Sequence, residues 1–116
     1  MQIPKPSDAD KASFRSMVPD DPRVEVKPMF GNLGAFVNGN MFMGLFGPDI
    51  GLKLSAADAA VLLEADGAGP FGPADRPMGG YVSLPVSFRG TSEGADWVAR
   101  ALDHVGALPP KPIPKS

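Results

Sequence analysis

KPMFGNLGAFVNGNMFMGLFGPDIGLKL, residues 27–54, concentrates the β-forming side chains of this chain around two turn signals. Asn38-Gly39 is a dipeptide that tolerates the positive φ angles of a tight β-hairpin, and Gly47-Pro48 reverses the chain again. On either side of these turns, apolar residues recur with the period of a strand. The stretch therefore predicts three consecutive antiparallel strands at about 33–37, 41–46 and 50–54.

Two further strands are predicted outside that stretch. Valines alternate with charged residues over 23–29, which indicates a strand with one solvated face. Another alternating run covers 81–84, and residues 86–88 either extend it beyond a bulge or form a separate short strand. Residues 68–77, AGPFGPADRP, are predicted to be irregular because glycine and proline interrupt both helices and strands.

Three helices are predicted from capping residues that precede an apolar stripe. Asp10 and Asp58 each stand three residues after a serine, at the spacing from which a carboxylate reaches back to the start of its helix. The capping residues are Ser7, Ser55, and Thr91 or Ser92; the residues expected to end the helices are Pro19, Gly67 and Gly106. Three helices layered on an antiparallel sheet make a two-layer α+β sandwich.

Composition limits the classes of function. The chain has 116 residues, 43% of them hydrophobic, and we expect one domain at 7–108 between a loose N-terminus at 1–6 and a proline-rich extended tail at 109–116. A net charge of −2 gives no positive field for nucleic acid or an anionic membrane. The chain has no cysteine and no run near the ~18 apolar residues of a membrane span. We expect a cytoplasmic protein that binds neither nucleic acid nor membrane.

No pattern in the sequence indicates catalysis, a metal or a cofactor. The single histidine, His104, stands beside Asp103 in a predicted helix, where neighbours in sequence do not face each other. The glycine-rich residues 31–34 lie between two strands, so they lack the helix N-terminus of a phosphate site. The spacings of common metal sites are also missing. We therefore expect a protein that is not an enzyme and has no cofactor.

One face of the predicted sheet is a candidate partner surface. Three aromatic residues fall on it together with three glycines and, at its margin, a lysine: Phe36, Phe42 and Phe46, then Gly34, Gly44 and Gly51, then Lys53. If the helices cover the opposite face, these aromatics form an exposed apolar patch that marks a binding site. If the helices cover this face, the same residues are core.

A second candidate is a pocket for a small molecule, or for a reaction, between the sheet and residues 68–77. Lys53, Arg76 and Tyr81 would lie near it. The methionines also have two readings, because methionine fills cores and also lines pliable binding surfaces. We expect core filling for Met29, Met41, Met43 and Met78.

The residues resemble a known family, the N-terminal domain of the TfoX/Sxy competence regulators. The resemblance rests on Lys27-Pro28-Met29-Phe30-Gly31, on Gly34-Ala35-Phe36-Val37-Asn38-Gly39, and on Met41-Phe42. It continues at Leu52-Lys53-Leu54, Pro70-Phe71, Met78-Gly79-Gly80-Tyr81, Leu84-Pro85 and Trp97. These motifs look like that domain's signature and follow its order from about Ser7 to Leu108.

The resemblance implies an antiparallel α+β fold similar to the secretion-chaperone-like group, whose chains pair or hold a partner polypeptide. Longer members of the family add a helical domain and act as co-activators with a cyclic-AMP receptor protein. For this chain we expect a stand-alone member without catalytic residues. It would act by protein contacts, as a homodimer or with another protein, in regulation of the competence type.

Overall fold

The computed structural model describes residues 5–29, 31–73, 75 and 77–109. Within these residues the chain forms three α-helices and six β-strands, and the strands join in one antiparallel sheet. The helices are α1 (Asp8–Met17), α2 (Ala56–Leu63) and α3 (Ser92–Gly106). The strands are β1 (Val24–Met29), β2 (Asn32–Val37), β3 (Asn40–Phe46), β4 (Asp49–Lys53), β5 (Gly69–Pro70) and β6 (Tyr81–Ser83). The predicted α+β class is confirmed.

The first four strands follow one another across the sheet, whose full order is β1-β2-β3-β4-β6-β5. Asn38 and Gly39 form the loop between β2 and β3 with φ angles of 53° and 80°, as a type I′ turn requires. Gly47, with φ of 59°, opens the loop to β4, and a positive φ at that first position is typical of a type II′ turn. Both predicted reversals are confirmed.

The part of the chain after α2 differs from the prediction at two points. Residues 68–77 were expected to be irregular, yet β5 adds a short edge strand beside β6. Residues 86–88 were expected to be a strand, and they form a 3-10 turn in which the Phe88 N–H donates to the Pro85 carbonyl at 3.0 Å. The reason is that Pro85 has no N–H with which to continue a strand ladder.

Each of the three helices has a side-chain cap at its N-terminus. Ser7 Oγ accepts from the Asp10 N–H at 3.0 Å, and the Asp10 carboxylate accepts from the Ser7 N–H at 2.9 Å, which confirms the predicted capping box. Thr91 caps α3. Ser55 caps α2, but the Asp58 carboxylate turns away and pairs with Arg100 at 3.0 Å.

The predicted helix ends are accurate for α3 but not for α2. Gly106 is the last residue of α3, as predicted, whereas α2 ends at Leu63, before Gly67. Gly67 has φ of 88° and lies in the turn after α2. The glycine therefore reverses the chain after the helix has already ended.

All three helices contribute to a core on one face of the sheet. Helix α3 packs across β2, β3 and β4, and α2 packs against β6. The core residues from the sheet include Leu33, Ala35, Val37, Met43, Leu45, Ile50, Leu52 and Val82; those from the helices are Phe14, Leu62, Val98, Ala101, Leu102 and Val105. Phe36 and Phe46 are not among the buried core residues, so the opposite face of the sheet is the one without helices.

A β-bulge in β3 determines which of its side chains lie on each face of the sheet. Ala35 pairs with Met43 and Phe36 pairs with Met41, so Phe42 is an extra residue without a partner position on β2. The extra residue breaks the strict alternation of side chains along the strand. Phe42 consequently lies in the core with 0% exposure, and its predicted place beside Phe36 and Phe46 is wrong.

Candidate functional site

The face of the sheet away from the helices, which we call the open face, has a row of glycines across its centre. Gly34 pairs with Gly44, Gly44 with Gly51, and Gly51 with Ser83. At the outer edge, Lys27 of β1 pairs with Gly34 and continues the row. Because glycine has no side chain, the row forms a shallow trough over which neighbouring side chains fold.

Phe71 covers one end of this trough. Its ring occupies the space into which a Cβ on Gly51 would project, and Cγ of the ring lies 2.2 Å from that position. The ring makes an edge-on contact with Phe46 at a centroid distance of 6.2 Å and a tilted contact with Tyr81 at 6.0 Å. The Met78 N–H donates to the Phe71 carbonyl at 2.8 Å, which holds the loop that carries the ring. Phe71 is therefore only 2% exposed although it lies outside the helix-covered core.

A cavity of about 380 Å³ lies on the open face beside Phe71. Its lining is apolar apart from one amide side chain and comes from β1, β2, β3 and the loop between β5 and β6. The lining residues are Met29, Asn32, Leu33, Met41, Gly44, Leu45, Phe46, Phe71, Pro73 and Met78. None of these has a titratable side chain. We call this feature the methionine cavity.

The amide side chain of Asn32 stabilises the fold through a hydrogen bond to the backbone. It is 5% exposed, and its Oδ1 accepts a hydrogen bond from the backbone N–H of Gly47 at 2.8 Å. This bond ties the start of β2 to the hairpin after β3. A buried amide that already has a partner supports the fold and adds little polarity to the cavity wall.

The methionines divide between the two faces. Met43 is fully buried in the core, as predicted. Met29, Met41 and Met78 line the methionine cavity instead, and all three are partly exposed, so the predicted core role is wrong for them. The bulge explains Met41, since it moves that residue onto the face where alternation alone would place Phe42.

Phe36 and Phe46, two of the predicted surface aromatics, do lie on the open face and are half-buried. Phe46 lines the methionine cavity. The Phe36 ring contacts the space above Gly34, and the Lys27 Nζ lies 5.4 Å from its centroid. These residues place aromatic and cationic groups side by side on the open face.

The structure describes two of the three residues predicted to lie near a small-molecule pocket. Lys53 and Tyr81 are brought together, with the Lys53 Nζ 5.8 Å from the Tyr81 ring centroid, whereas Arg76 lies outside the described residues. The Tyr81 hydroxyl donates to the Met41 carbonyl at 2.7 Å, and burial raises the pKa of Tyr81 to about 12. A phenol held neutral and bonded to backbone does not serve as an acid or base near neutral pH.

The sequence patterns do not reveal the place of Phe71 or of the three cavity methionines. Phe71 falls in a segment predicted to be irregular, and Met29, Met41 and Met78 are predicted to be core. The available signal was a phenylalanine flanked on both sides by glycine and proline, GPFGP at residues 69–73, in a chain whose central strands each carry a glycine on the same face. Such glycines often mark the close approach of another group to the sheet.

Other kinds of site can be assessed for the described part of the chain. Among those residues no three side chains of His, Cys, Asp or Glu come together as a metal site. No helix in the described part has the length and hydrophobicity needed to cross a membrane.

The fold and its open face define a small two-layer α+β domain with an apolar recess. The family model of the TfoX N-terminal domain matches residues 16–105. That match spans most of the chain, and the protein belongs to the TfoX N-terminal domain family. Comparisons with curated proteins and with solved structures found no match.

Proposed function

We propose that this protein is a non-enzymatic regulatory protein that acts by contact with another polypeptide chain, through its open face. The observation that carries the proposal is the set of partly exposed apolar side chains on that face: Phe36, Met29, Met41 and Phe46. Methionine and phenylalanine are enriched at the centres of protein interfaces, and methionine adapts to the shape of its partner.

The edges of the sheet are poorer contact sites than its face. Strand β1 is one edge, and it carries the exposed charges of Glu25 and Lys27 followed by Pro28, which lacks an N–H. Such features oppose the addition of a further strand. The other edge, β5, has only two residues. These features favour a contact across the open face over strand pairing.

Family membership supports a regulatory role of the competence type. The absence of titratable side chains from the described cavity lining, and the committed hydroxyl of Tyr81, support action by binding and not by catalysis. The net charge of −2 favours a protein partner over nucleic acid.

Light scattering of the purified protein across a range of concentrations, together with affinity capture from its native cells, tests the proposal. Phe36→Asp and Lys27→Glu change the open face, and Val86→Asp, at a residue that is 72% exposed on the 3-10 turn, is the matched control. We expect the control to keep the self-association or the partner of the wild type and both open-face variants to lose it. Folded open-face variants with unchanged mass and unchanged partners would refute the proposal, and Lys27→Glu keeps the test valid if Phe36→Asp unfolds.

A further inference from the structure

We propose that the methionine cavity is a binding site for one small, uncharged, apolar molecule. This inference goes beyond the protein contact proposed above, because the ligand would lie in the recess beside Phe71 and its binding needs no second chain. The size of the cavity, the chemistry of its lining and the glycine in its wall, Gly44, support such a site.

The cavity is large enough for a ligand. Small-molecule sites in proteins measure about 300–1,000 Å³, and a dry apolar cavity of about 150 Å³ already binds benzene. The volume of about 380 Å³ is roughly 2.5 times that value, which scales to an apolar ligand of about 15 non-hydrogen atoms. A single buried leucine or phenylalanine side chain of a partner would fill only part of it.

The apolar lining disfavours a ligand that carries a charge. Apart from Asn32, whose side-chain oxygen is bonded to Gly47, the described lining consists of apolar side chains and glycine. A phosphate, carboxylate or ammonium group placed there would lose its water and gain no described ionic partner. Sulfur and aromatic groups, in contrast, make favourable contacts with a flat apolar ligand. An uncharged aromatic or hydrocarbon molecule therefore fits best.

Gly44 keeps the cavity open. A Cβ added at this position would lie 3.1 Å from Cε of Met41 and 3.4 Å from Cε2 of Phe71, both of which line the cavity. A larger side chain on Gly44 would therefore project into the recess and displace a ligand. The flexible Met41 side chain can move by a few tenths of an ångström, so the strand can accommodate a Cβ at this position.

Fluorescence titration of the purified full chain with N-phenyl-1-naphthylamine, an uncharged aromatic probe of about the required size, tests the inference. We expect saturable binding of one probe per chain. Gly44→Val should weaken it by occupying part of the cavity, and Met78→Glu should weaken it at least about tenfold by introducing a charge. Val86→Glu introduces the same charge outside the cavity and should bind as the wild type does.

Two results would overturn the inference. The first is a wild-type protein that shows no saturable signal. The second is a folded Met78→Glu variant that binds the probe as tightly as Val86→Glu does. Since the titration uses the isolated chain, its failure would leave the proposed protein contact intact. Conversely, loss of partner binding in Phe36→Asp would leave the probe titration unchanged, because Phe36 is not among the described lining residues.

Discussion

Replacing Gly51 by alanine tests the packing of the open face most severely. The added Cβ would lie 2.2 Å from Cγ, 2.4 Å from Cδ2 and 2.5 Å from Cδ1 of the Phe71 ring. These atoms are at the root of the side chain, so the ring cannot avoid the methyl group by a small rotation at its tip. Either the backbone of β4 shifts or the whole ring leaves its place between Phe46 and Tyr81.

The expected loss of stability is similar whether the β4 backbone shifts or the Phe71 ring is displaced. Overpacking a well-filled site costs about 1–3 kcal/mol, and returning a buried phenylalanine such as Phe71, now 2% exposed, to water costs about 1.5–3 kcal/mol. We therefore expect Gly51→Ala to lower the free energy of unfolding by about 2–3 kcal/mol. In a Phe71→Ala background the collision disappears, and the same substitution becomes neutral or stabilising by up to about 0.5–1 kcal/mol because alanine loses less backbone entropy than glycine.

Urea unfolding of the wild type, both single variants and the double variant measures this coupling as a double-mutant cycle. Gly69→Ala is the control, since a Cβ there meets nothing within 4 Å, and it should change the unfolding free energy by no more than about 0.5 kcal/mol. Equal costs for Gly51→Ala with and without the Phe71 ring would show that the ring does not lie on Gly51. Phe71 would then not cover the open face as described.

Three further predictions concern single hydrogen bonds and charges. Tyr81→Phe removes the bond to the Met41 carbonyl and should cost about 1 kcal/mol in urea unfolding; an unchanged midpoint would contradict it. The pKa of Asp21 is lowered to about 2, mainly by hydrogen bonds from the Arg23 side chain and to a smaller extent by one from the Arg23 backbone N–H. The Asp21 carboxylate therefore stabilises the fold above about pH 4, and this contribution is lost as the pH falls from about 4 to 2. Asp21→Asn should flatten that part of the stability profile, whereas a profile identical to that of the wild type would refute the assignment. Ser7→Ala removes the cap of α1 and should cost about 1 kcal/mol, measured by thermal unfolding; Ser7→Asp, which keeps a capping oxygen, should restore most of it.

The hairpins could be predicted because their cause is local. Asn38-Gly39 and Gly47-Pro48 have few compatible conformations, and a two-residue loop fixes the register of the strands on both sides. The capping box of α1 is also local, since both of its hydrogen bonds lie within three residues. Where neighbouring residues determine the geometry, the sequence was sufficient.

The faces of the sheet depended on contacts between distant residues. The bulge at Phe42 depends on how β3 pairs with β2, and nothing in the run MFMGLF marks the residue that loses its partner. Strict alternation therefore exchanged Met41 and Phe42 between the two faces. Asp58 likewise has a capping spacing, yet Arg100, which is 42 residues away, competes for its carboxylate. Such competitors become visible only in three dimensions.

Methionine methyl groups offer the most direct measurement of the central claim, which is that ligands bind on the open face and not on the helix-covered face. Met41 and Met43 lie on the same strand, one in the methionine cavity and the other fully buried in the core. In methyl NMR spectra of the full chain titrated with N-phenyl-1-naphthylamine, we expect the signals of Met29, Met41 and Met78 to shift together while those of Met17 and Met43 stay in place. Shifts confined to Met17 and Met43, or no shifts at saturating probe, would contradict the claim.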